Sequence, residues 1–114
     1  MSFIQIIEYE TDRPDEVRKL GEAQWRKMSS TQDGFRLSMT SDRDHPNRYV
    51  TIVEFPSYEA AMANSQRPET NEFANQLAAL CTKDPDYRNL DVQMAAPQTP
   101  PRGQSIVEPS GSAW

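Results

Sequence analysis

The sequence has only one cysteine and one histidine among its 114 residues. A single thiol, Cys81, cannot form a disulfide within the chain, and it fits a reducing compartment, so we expect a cytoplasmic protein. A zinc site needs about four Cys, His or carboxylate ligands, and Cys81 with His45 does not supply such a set in one chain. These two shortages exclude a disulfide-stapled fold and predict no metal site.

The chain also lacks a long apolar run and an excess of positive charge. A membrane-spanning helix needs roughly 18 or more consecutive apolar residues, and the first residues lack the basic and apolar segments of a secretory signal. The formal net charge is −5 and the pI is about 4.8. Because an acidic surface repels phosphate backbones, we expect neither a membrane nor a nucleic acid as partner.

Sequence motifs with a decisive catalytic meaning are scarce as well. The chain has four glycines, at positions 21, 34, 103 and 111, and they form no phosphate-binding loop. No Ser/His/Asp or Cys/His arrangement follows from the spacing of these residue types. Cys81 at a predicted helix end is typical of a small buried apolar residue. Function must therefore be sought in a pocket and not in a motif.

Four segments have the composition of β-strands, at residues 3–9, 35–41, 48–55 and 87–94. The first and third are apolar on both alternating sides, which is typical of strands covered on both faces. The second and fourth alternate between apolar and polar residues, as edge strands with one wetter face do. The pattern therefore predicts two central and two edge strands.

Two helical regions separate these strands. The first, about 13–29, follows Asp12 and Pro14, which suit a helix start. Its inward stripe at helical spacing consists of Val17, Leu20, Gly21, Gln24, Trp25 and Met28. The second region begins after Ser57, a helix cap, is broken or kinked at Pro68 and continues over about 69–81.

The order β-α-β-β-α-β predicts an α+β fold of ferredoxin-like plan with a four-stranded antiparallel sheet. Right-handed crossovers place both helices on one face of that sheet. The other face then carries Ile4, Ile6, Val50 and Ile52, and leaving each in water would forgo roughly 1.5–3 kcal/mol. We therefore expect a homodimer that packs two such faces about a twofold axis. A monomer whose C-terminal segment covers the face is the alternative.

The composition changes after residue 94, which predicts one domain at 1–94 and a tail at 95–114. Four prolines, two glycines and three serines share these twenty residues. Such a segment is typically flexible. The alternative is a tail docked on the partner subunit through its apolar points, Ile106, Val107 and Trp114.

The run from Asn47 to Ala61 resembles the strand-to-helix segment of the antibiotic biosynthesis monooxygenase (ABM) family, within the dimeric α/β-barrel superfamily. There a hydrophobic strand ends in Glu, and a Ser- or Asp-capped turn leads to a helix that begins Glu-Ala. Glu54, Ser57 and the pair at 59–60 match this pattern. Residues 68–73 resemble the second half of that helix. The resemblance covers about 3–94 and bears on fold more than on chemistry.

The resemblance implies a dimeric α/β barrel with a ligand pocket between the sheet and the helices of each subunit. Some members oxygenate aromatic polyketides with no metal or flavin, so it implies no cofactor. Others degrade haem, cyclise or isomerise small molecules, or have no known activity. The haem degraders use an Asn on strand one with Trp and His on the helical side. Here strand one has Gln5, and helix two has neither His nor Trp, so haem chemistry is poorly matched.

Seven residues are candidates for a site. Tyr49 and His45 are the candidate proton-transfer groups. The candidate substrate-binding residues are Gln24, Trp25, Arg36, Met39 and Tyr58.

Gln24 and Trp25 lie on the predicted inward stripe of the first helix. A buried amide must find a partner or a ligand, and an indole suits stacking on a planar ligand. The alternative is a glutamine bonded to a backbone or tail group and a tryptophan that fills the core. The topology also gathers an aromatic group at this end of the sheet, either a hydrophobic plug or part of a pocket: Trp25, Met28, Phe35, Phe55 and Tyr58.

The opposite end of the sheet gathers Tyr49 and His45. His45 is the only side chain with an unperturbed pKa near neutrality, but its position beside Asp44 and Pro46 is equally typical of a solvated loop histidine. Arg36 projects from the polar side of strand two. It would hold an enolate or carboxylate by charge-assisted bonds, or else form a surface or dimer ion pair.

The first functional hypothesis is a small cofactor-independent monooxygenase that acts on a planar aromatic or polyketide-like molecule. In this hypothesis Trp25 stacks on the substrate, Gln24 and Arg36 orient its oxygens, and Tyr49 or His45 moves protons. The alternatives are a non-catalytic dimer that binds a small molecule, and a cyclase or isomerase on the same scaffold.

Overall fold

The computed structural model describes residues 2–30 and 34–96. In chain order its elements are β1 (Phe3–Glu10), α1 (Pro14–Ser29), β2 (Arg36–Ser41), β3 (Arg48–Phe55), α2 (Tyr58–Ser65), α3 (Pro68–Leu80) and β4 (Asp86–Asp91). The predicted tail lies outside the described residues from residue 97 onward, so the division into a domain and a tail stays a prediction. Within the described ranges, no helix is long and apolar enough to cross a bilayer.

The four strands form one antiparallel sheet in the order β2-β3-β1-β4. β1 and β3 are the central pair, with Ile6 opposite Ile52 and Tyr9 opposite Tyr49. The two strands that are apolar on both faces therefore lie in the middle of the sheet. The predicted α+β ferredoxin-like fold, with β2 and β4 at the edges, is confirmed.

α1 covers the predicted residues, but the cap expected at Asp12 is not formed: Arg13 is the N-cap, and its side chain makes no capping hydrogen bond. Pro14 occupies the first turn, where its missing N–H costs nothing, and acidic residues follow it at the positive end of the helix dipole. The turn between β1 and α1 is held in place by Thr11, which is fully buried. Its hydroxyl donates to the Leu80 carbonyl at 2.6 Å and accepts from the Arg13 N–H at 2.9 Å. One side chain thus ties the end of β1 to the start of α1 and the end of α3.

The second helical region is two helices, as the break at Pro68 predicts. Ser57 caps α2 by accepting a hydrogen bond from the Ala60 N–H at 3.0 Å. Pro68 then stands in the first turn of α3 after Gln66 and Arg67. The proline cannot continue α2, but its fixed φ suits a new helix start. The result is a bend that leaves the end of α2 and the start of α3 over the same part of the sheet.

β4 is shorter than predicted, because it ends at Asp91 and not at residue 94. Its neighbour β1 begins at Phe3, which lies opposite Asp91 in the register. Beyond that pair, among the described residues, one backbone bond continues the ladder, from the Val92 N–H to the Ser2 carbonyl at 3.1 Å. The alternation of residues 92–94 is therefore not that of a paired strand, because the partner strand has run out.

The two faces of the sheet differ sharply in burial. The face under the helices carries two buried clusters, one around Phe3 and Phe55 and the other around Ile7, Tyr9 and Leu77. The opposite face, here called the open face, carries Ile4, Ile6, Val50 and Ile52, all half-buried, and Leu90, which is 42 % exposed. In the described part of the chain the helices pack on the first face and leave the open face uncovered.

α1 approaches β2 closely at Gly21, and this contact generates a stability prediction. A Cβ added at Gly21 would lie 2.6 Å from the Met39 Sδ and 2.9 Å from its Cε. Alanine is favoured over glycine inside a helix by about 1 kcal/mol, but Gly21→Ala should realise only part of that gain, because the flexible end of Met39 must first move aside. In a Met39→Ala background the same change should stabilise by about 0.5–1 kcal/mol.

Urea unfolding of the wild type, both single variants and the double variant, at one fixed protein concentration, measures this coupling. We expect a favourable coupling free energy of about 0.5 kcal/mol between the two substitutions, because moving the flexible Met39 side chain costs little. Additive effects would contradict the close approach of α1 and β2.

Candidate functional site

A cavity of about 70 Å³ lies between the sheet and the three helices. Its wall is mainly apolar, and the polar side chains that reach it come both from the sheet and from the three helices. The apolar lining includes Ile7, Val17, Met28, Leu37, Met39, Val53, Phe55, Phe73, Ala74 and Leu77. The polar lining consists of Gln5, Tyr9, Gln24, Thr51, Asn64, Thr70 and Tyr87. The cavity is therefore built for an apolar body with a few oxygen or nitrogen atoms.

Gln24 is the most informative of these polar groups. It lies on the inner side of α1, is only 8 % exposed and lines the cavity. Among the described residues its side-chain amide forms no hydrogen bond. Buried polar groups are normally paired, with protein or with ordered water. A glutamine amide that faces a cavity without a protein partner is accordingly suited to a bound molecule.

Tyr9 and Thr51 form a fixed polar pair on the floor of the cavity. The Tyr9 and Thr51 hydroxyls are 3.0 Å apart, and both residues are buried. The Tyr9 ring also stacks on Tyr49, its partner across the strands, with centroids 5.9 Å apart and 19° between the ring planes. Stacking and hydrogen bonding together hold the Tyr9 ring in one orientation, with its hydroxyl beside the cavity.

Asn64 and Thr70 were not singled out by sequence analysis. Asn64 is buried near the end of α2, and its Oδ1 accepts a hydrogen bond from the Thr70 hydroxyl at 3.3 Å. Asn64 and Thr70 stand on the two sides of the break at Pro68, and both line the cavity. A sequence signal did exist: an asparagine, a poor helix former, among good ones. The direction in which the Asn64 side chain points depends on the angle between α2 and α3, and the sequence does not give that angle.

Among the residues that the structure describes, the lining contains no carboxylate, imidazole, ammonium or guanidinium group. Its two titratable side chains are Tyr9 and Tyr87. Burial raises the pKa of Tyr9, although its bond to Thr51 partly opposes the rise. Burial likewise raises the pKa of Tyr87. Both phenols are consequently neutral near pH 7 and serve as hydrogen-bond donors, so the cavity offers neutral polar contacts and no strong base.

Two of the predicted substrate-binding residues, Gln24 and Met39, line this cavity. Trp25 does not, and its predicted inward position is corrected. It is 40 % exposed, and its ring packs on Phe35 with centroids 5.1 Å apart. Trp25 follows Gln24 by one position, about 100° round the helix. It therefore borders a surface groove shared with Leu37 and Met39.

Tyr58 and Arg36 also lie away from the cavity. Tyr58 is 52 % exposed and meets Phe3 edge to face at 5.4 Å, so it covers the end of the core. Arg36 lies opposite Glu54 on the open face, because it alternates with Leu37, which faces the helices. The sheet itself separates Arg36 from the cavity. The structure therefore does not bring either residue together with Gln24.

The two predicted proton-transfer residues occupy different surroundings. Tyr49 is half-buried and borders a second groove beside Tyr9 and Met39. The His45 side chain is 58 % exposed in the turn between β2 and β3, with its Nδ1 3.3 Å from an Asp42 carboxylate oxygen. It does not line the cavity. Across residues 2–30 and 34–96, no group of three or more His, Cys, Asp or Glu residues is arranged to hold a metal ion.

The raised pKa of Tyr9 predicts a pH dependence of stability. Above a pH of about 10, the ordinary phenol pKa, the unfolded chain loses the Tyr9 proton while the folded chain keeps it. The unfolded state then binds fewer protons, so the free energy of unfolding should fall as the pH rises. Tyr9→Phe should remove this part of the fall.

Urea midpoints measured between pH 7 and 10.5 test this expectation. Tyr87 and Cys81, whose pKa values burial also raises, remain in the variant, so the slope should become shallower without vanishing. At pH 7 the variant should lose about 1 kcal/mol, since the Thr51 hydroxyl loses its partner. An unchanged alkaline slope would show that the Tyr9 phenol is not shielded from water.

The comparisons with known proteins are structural. No family model and no curated protein sequence matches the chain. The fold is similar to that of SnoaB, a cofactor-independent oxygenase from Streptomyces nogalater (TM-score 0.70, 21 % identity, 85 % of this chain and 98 % of SnoaB covered).

Two further solved structures have the same likeness. Rv0793 from Mycobacterium tuberculosis matches with a TM-score of 0.69 and 20 % identity over 85 % of this chain and all of that one. A protein described as an antibiotic biosynthesis monooxygenase matches with a TM-score of 0.65 and 17 % identity, over 85 % and 100 % of the two chains. The chain therefore has the ferredoxin-like fold of the antibiotic biosynthesis monooxygenase proteins.

Proposed function

We propose that this protein is a cofactor-independent monooxygenase that acts on a planar aromatic or polyketide-like molecule. One observation carries the proposal: Gln24 is only 8 % exposed, and its amide, which bonds no group among the described residues, faces an apolar cavity between the sheet and the helices. The shared fold supports it, because SnoaB is described as a cofactor-independent oxygenase. Identities near 20 % leave the activity itself to be tested.

The lining favours a neutral ligand with one or two oxygen atoms. A carboxylate or phosphate in this cavity would lose its hydration and meet no cation, which is costly. A phenol or ketone oxygen, in contrast, accepts from the Gln24 amide or from the Tyr9 hydroxyl, and its carbon body contacts side chains such as Val53 and Phe55. The substrate is thus expected to enter uncharged.

The reaction we propose balances without any cofactor. An acidic C–H carbon flanked by aromatic rings and conjugated to the oxygen loses a proton to water. The resulting enolate gives one electron to O2, and the two radicals combine to form a C–O bond. The peroxide anion then takes back a proton from the water, which gives a hydroperoxide on a carbon that still carries one hydrogen. Loss of water from the hydroperoxide leaves a new carbonyl, so one oxygen atom enters the product and the other leaves as water. The Gln24 amide and the neutral Tyr9 phenol stabilise the enolate oxygen.

Oxygen uptake with anthrone-type and hydroquinone substrates tests this function. Gln24→Met keeps the volume but removes the donor, so kcat/KM should fall by about a hundredfold. Gln76→Met is the matched control, because Gln76 is exposed on α3 and bonds only Glu72; its rate should equal that of the wild type. Absence of oxygen uptake across the panel would contradict the monooxygenase proposal.

A second candidate, a non-catalytic small-molecule binder, is favoured by one specific observation. No side chain of the lining is a base at neutral pH, since its titratable groups are phenols with raised pKa values. Binding of the same aromatic molecules without oxygen uptake would support this candidate. Hydrogen-isotope exchange without oxygen uptake would instead support a cyclase or isomerase.

We also propose that the protein acts as a cytoplasmic homodimer through the open face. Ile6 and Ile52 lie side by side at its centre and are only half-buried within one chain. At one end, Glu8 pairs with Arg88 at 3.3 Å and with Arg48 at 3.8 Å, which forms a polar rim. An apolar centre with a charged rim is typical of protein interfaces. A second copy of the same face supplies matching apolar surface.

Sedimentation of Ile52→Asp tests the dimer. A carboxylate at the centre of the open face would be buried without a partner, so the variant should sediment as a monomer at micromolar concentrations where the wild type is a dimer. Ala79→Asp is the control, since it places the same group on the exposed side of α3 and should leave the dimer intact. A wild type that sediments as a monomer would contradict the proposal.

A further inference from the structure

The cavity is too small for the ligand that its chemistry favours. Its volume is about 70 Å³, whereas an engineered apolar cavity of about 150 Å³ binds benzene. A single aromatic ring therefore exceeds the space beside Gln24, and two or three fused rings exceed it by more. Binding of such a molecule requires that at least one wall residue moves.

Met39 is the wall residue with space on its far side. It lines the cavity and also borders a groove of about 180 Å³ at the surface between α1 and β2. This groove, here called the hydroxyl groove, is lined by Tyr9, Pro14, Val17, Arg18, Met39, Thr40, Ser41 and Tyr49. Tyr9 and Val17 line both spaces as well. The cavity and the groove are consequently neighbours, and the Met39 side chain stands between them.

A glycine on α1 leaves the space that the Met39 side chain occupies. The Met39 sulfur and terminal methyl lie where a Cβ of Gly21 would be, so α1 leaves a notch that receives them. Methionine is unbranched and has three rotatable side-chain bonds, which lets it change position at little cost. Within residues 2–30 and 34–96, no hydrogen bond or charge holds the thioether in this notch. The side chain can therefore leave without breaking a polar contact.

We propose that Met39 is the size gate of the ligand site, and that its movement off Gly21 joins the cavity to the hydroxyl groove. The inference rests on the proposed binding of an aromatic molecule beside Gln24, and it adds the route and the length limit. Met39 is then a specificity-determining residue. When it has moved off Gly21, the site admits a multi-ring ligand; when it packs against Gly21, the inner cavity is closed.

The groove also indicates which part of the ligand it receives. Ser41 and Tyr49 carry hydroxyls on this groove, and Arg18 adds an exposed guanidinium paired with Asp15 at 3.3 Å. These groups suit a distal ring with hydroxyl or carbonyl oxygens, whereas the inner cavity suits the ring beside Gln24. The site as a whole fits an elongated aromatic molecule with oxygen atoms at both ends.

Stopped-flow and equilibrium binding of a hydroxyanthraquinone test the gate. This tricyclic phenol-ketone is stable in air, so binding is measured apart from turnover. If the open position is populated at about 10 % or less, Met39→Ala should raise the association rate and the apparent affinity about tenfold or more. Met39→Leu preserves the volume and should stay within about threefold of the wild type.

Leu37→Ala is the matched control. Leu37 lies two residues earlier on the same side of β2 and lines the cavity, but it borders the Trp25 groove and not the hydroxyl groove. The gate is overturned if Met39→Ala binds at the wild-type rate, or if Leu37→Ala accelerates binding equally, which would place the entrance at Trp25. Absence of saturable binding in every variant, with the folds intact by circular dichroism, would instead overturn the proposed function itself.

Discussion

Successive side chains of a strand point to opposite faces of the sheet, and this alternation in β1 and β3 governs both layers of the protein. Ile7 and Tyr9 face the helices and build the core, while Ile4 and Ile6 face the other way. A shift of one residue in register would exchange the two sets. The same pairing that closes the core therefore also leaves an apolar face that the described part of the chain does not cover.

The cavity depends on that arrangement through the helices above it. α1 can approach β2 closely because Gly21 has no side chain, and α3 is separate from α2 because Pro68 ends one helix and begins the next. The first feature brings Met39 under α1, and the second brings Asn64 and Thr70 to one place. Two residues that weaken or break helices thus shape the space that the Gln24 amide faces.

The strand order, the helix break and the inward position of Gln24 could be predicted from the sequence, because each follows from local periodicity or from one proline. The position of Trp25 outside the cavity could not be predicted. Gln24 and Trp25 are neighbours on α1, and a wide apolar stripe admits both until the sheet fixes which direction is inward. The contribution of Asn64 was hidden for a related reason: it needs the angle between α2 and α3, which no spacing of residues encodes.

The electrostatics of the cavity limit the chemistry that its own residues can perform. Burial raises the pKa of Tyr9 and Tyr87, so these phenols donate hydrogen bonds near pH 7 but do not accept a proton from carbon. His45 lies in an exposed turn beside Asp42, away from the cavity. A substrate in this cavity must therefore be acidic enough to ionise with help from fixed neutral dipoles alone. That requirement selects molecules whose negative charge spreads over several rings, and the same breadth of the ring system is what makes movement of Met39 necessary.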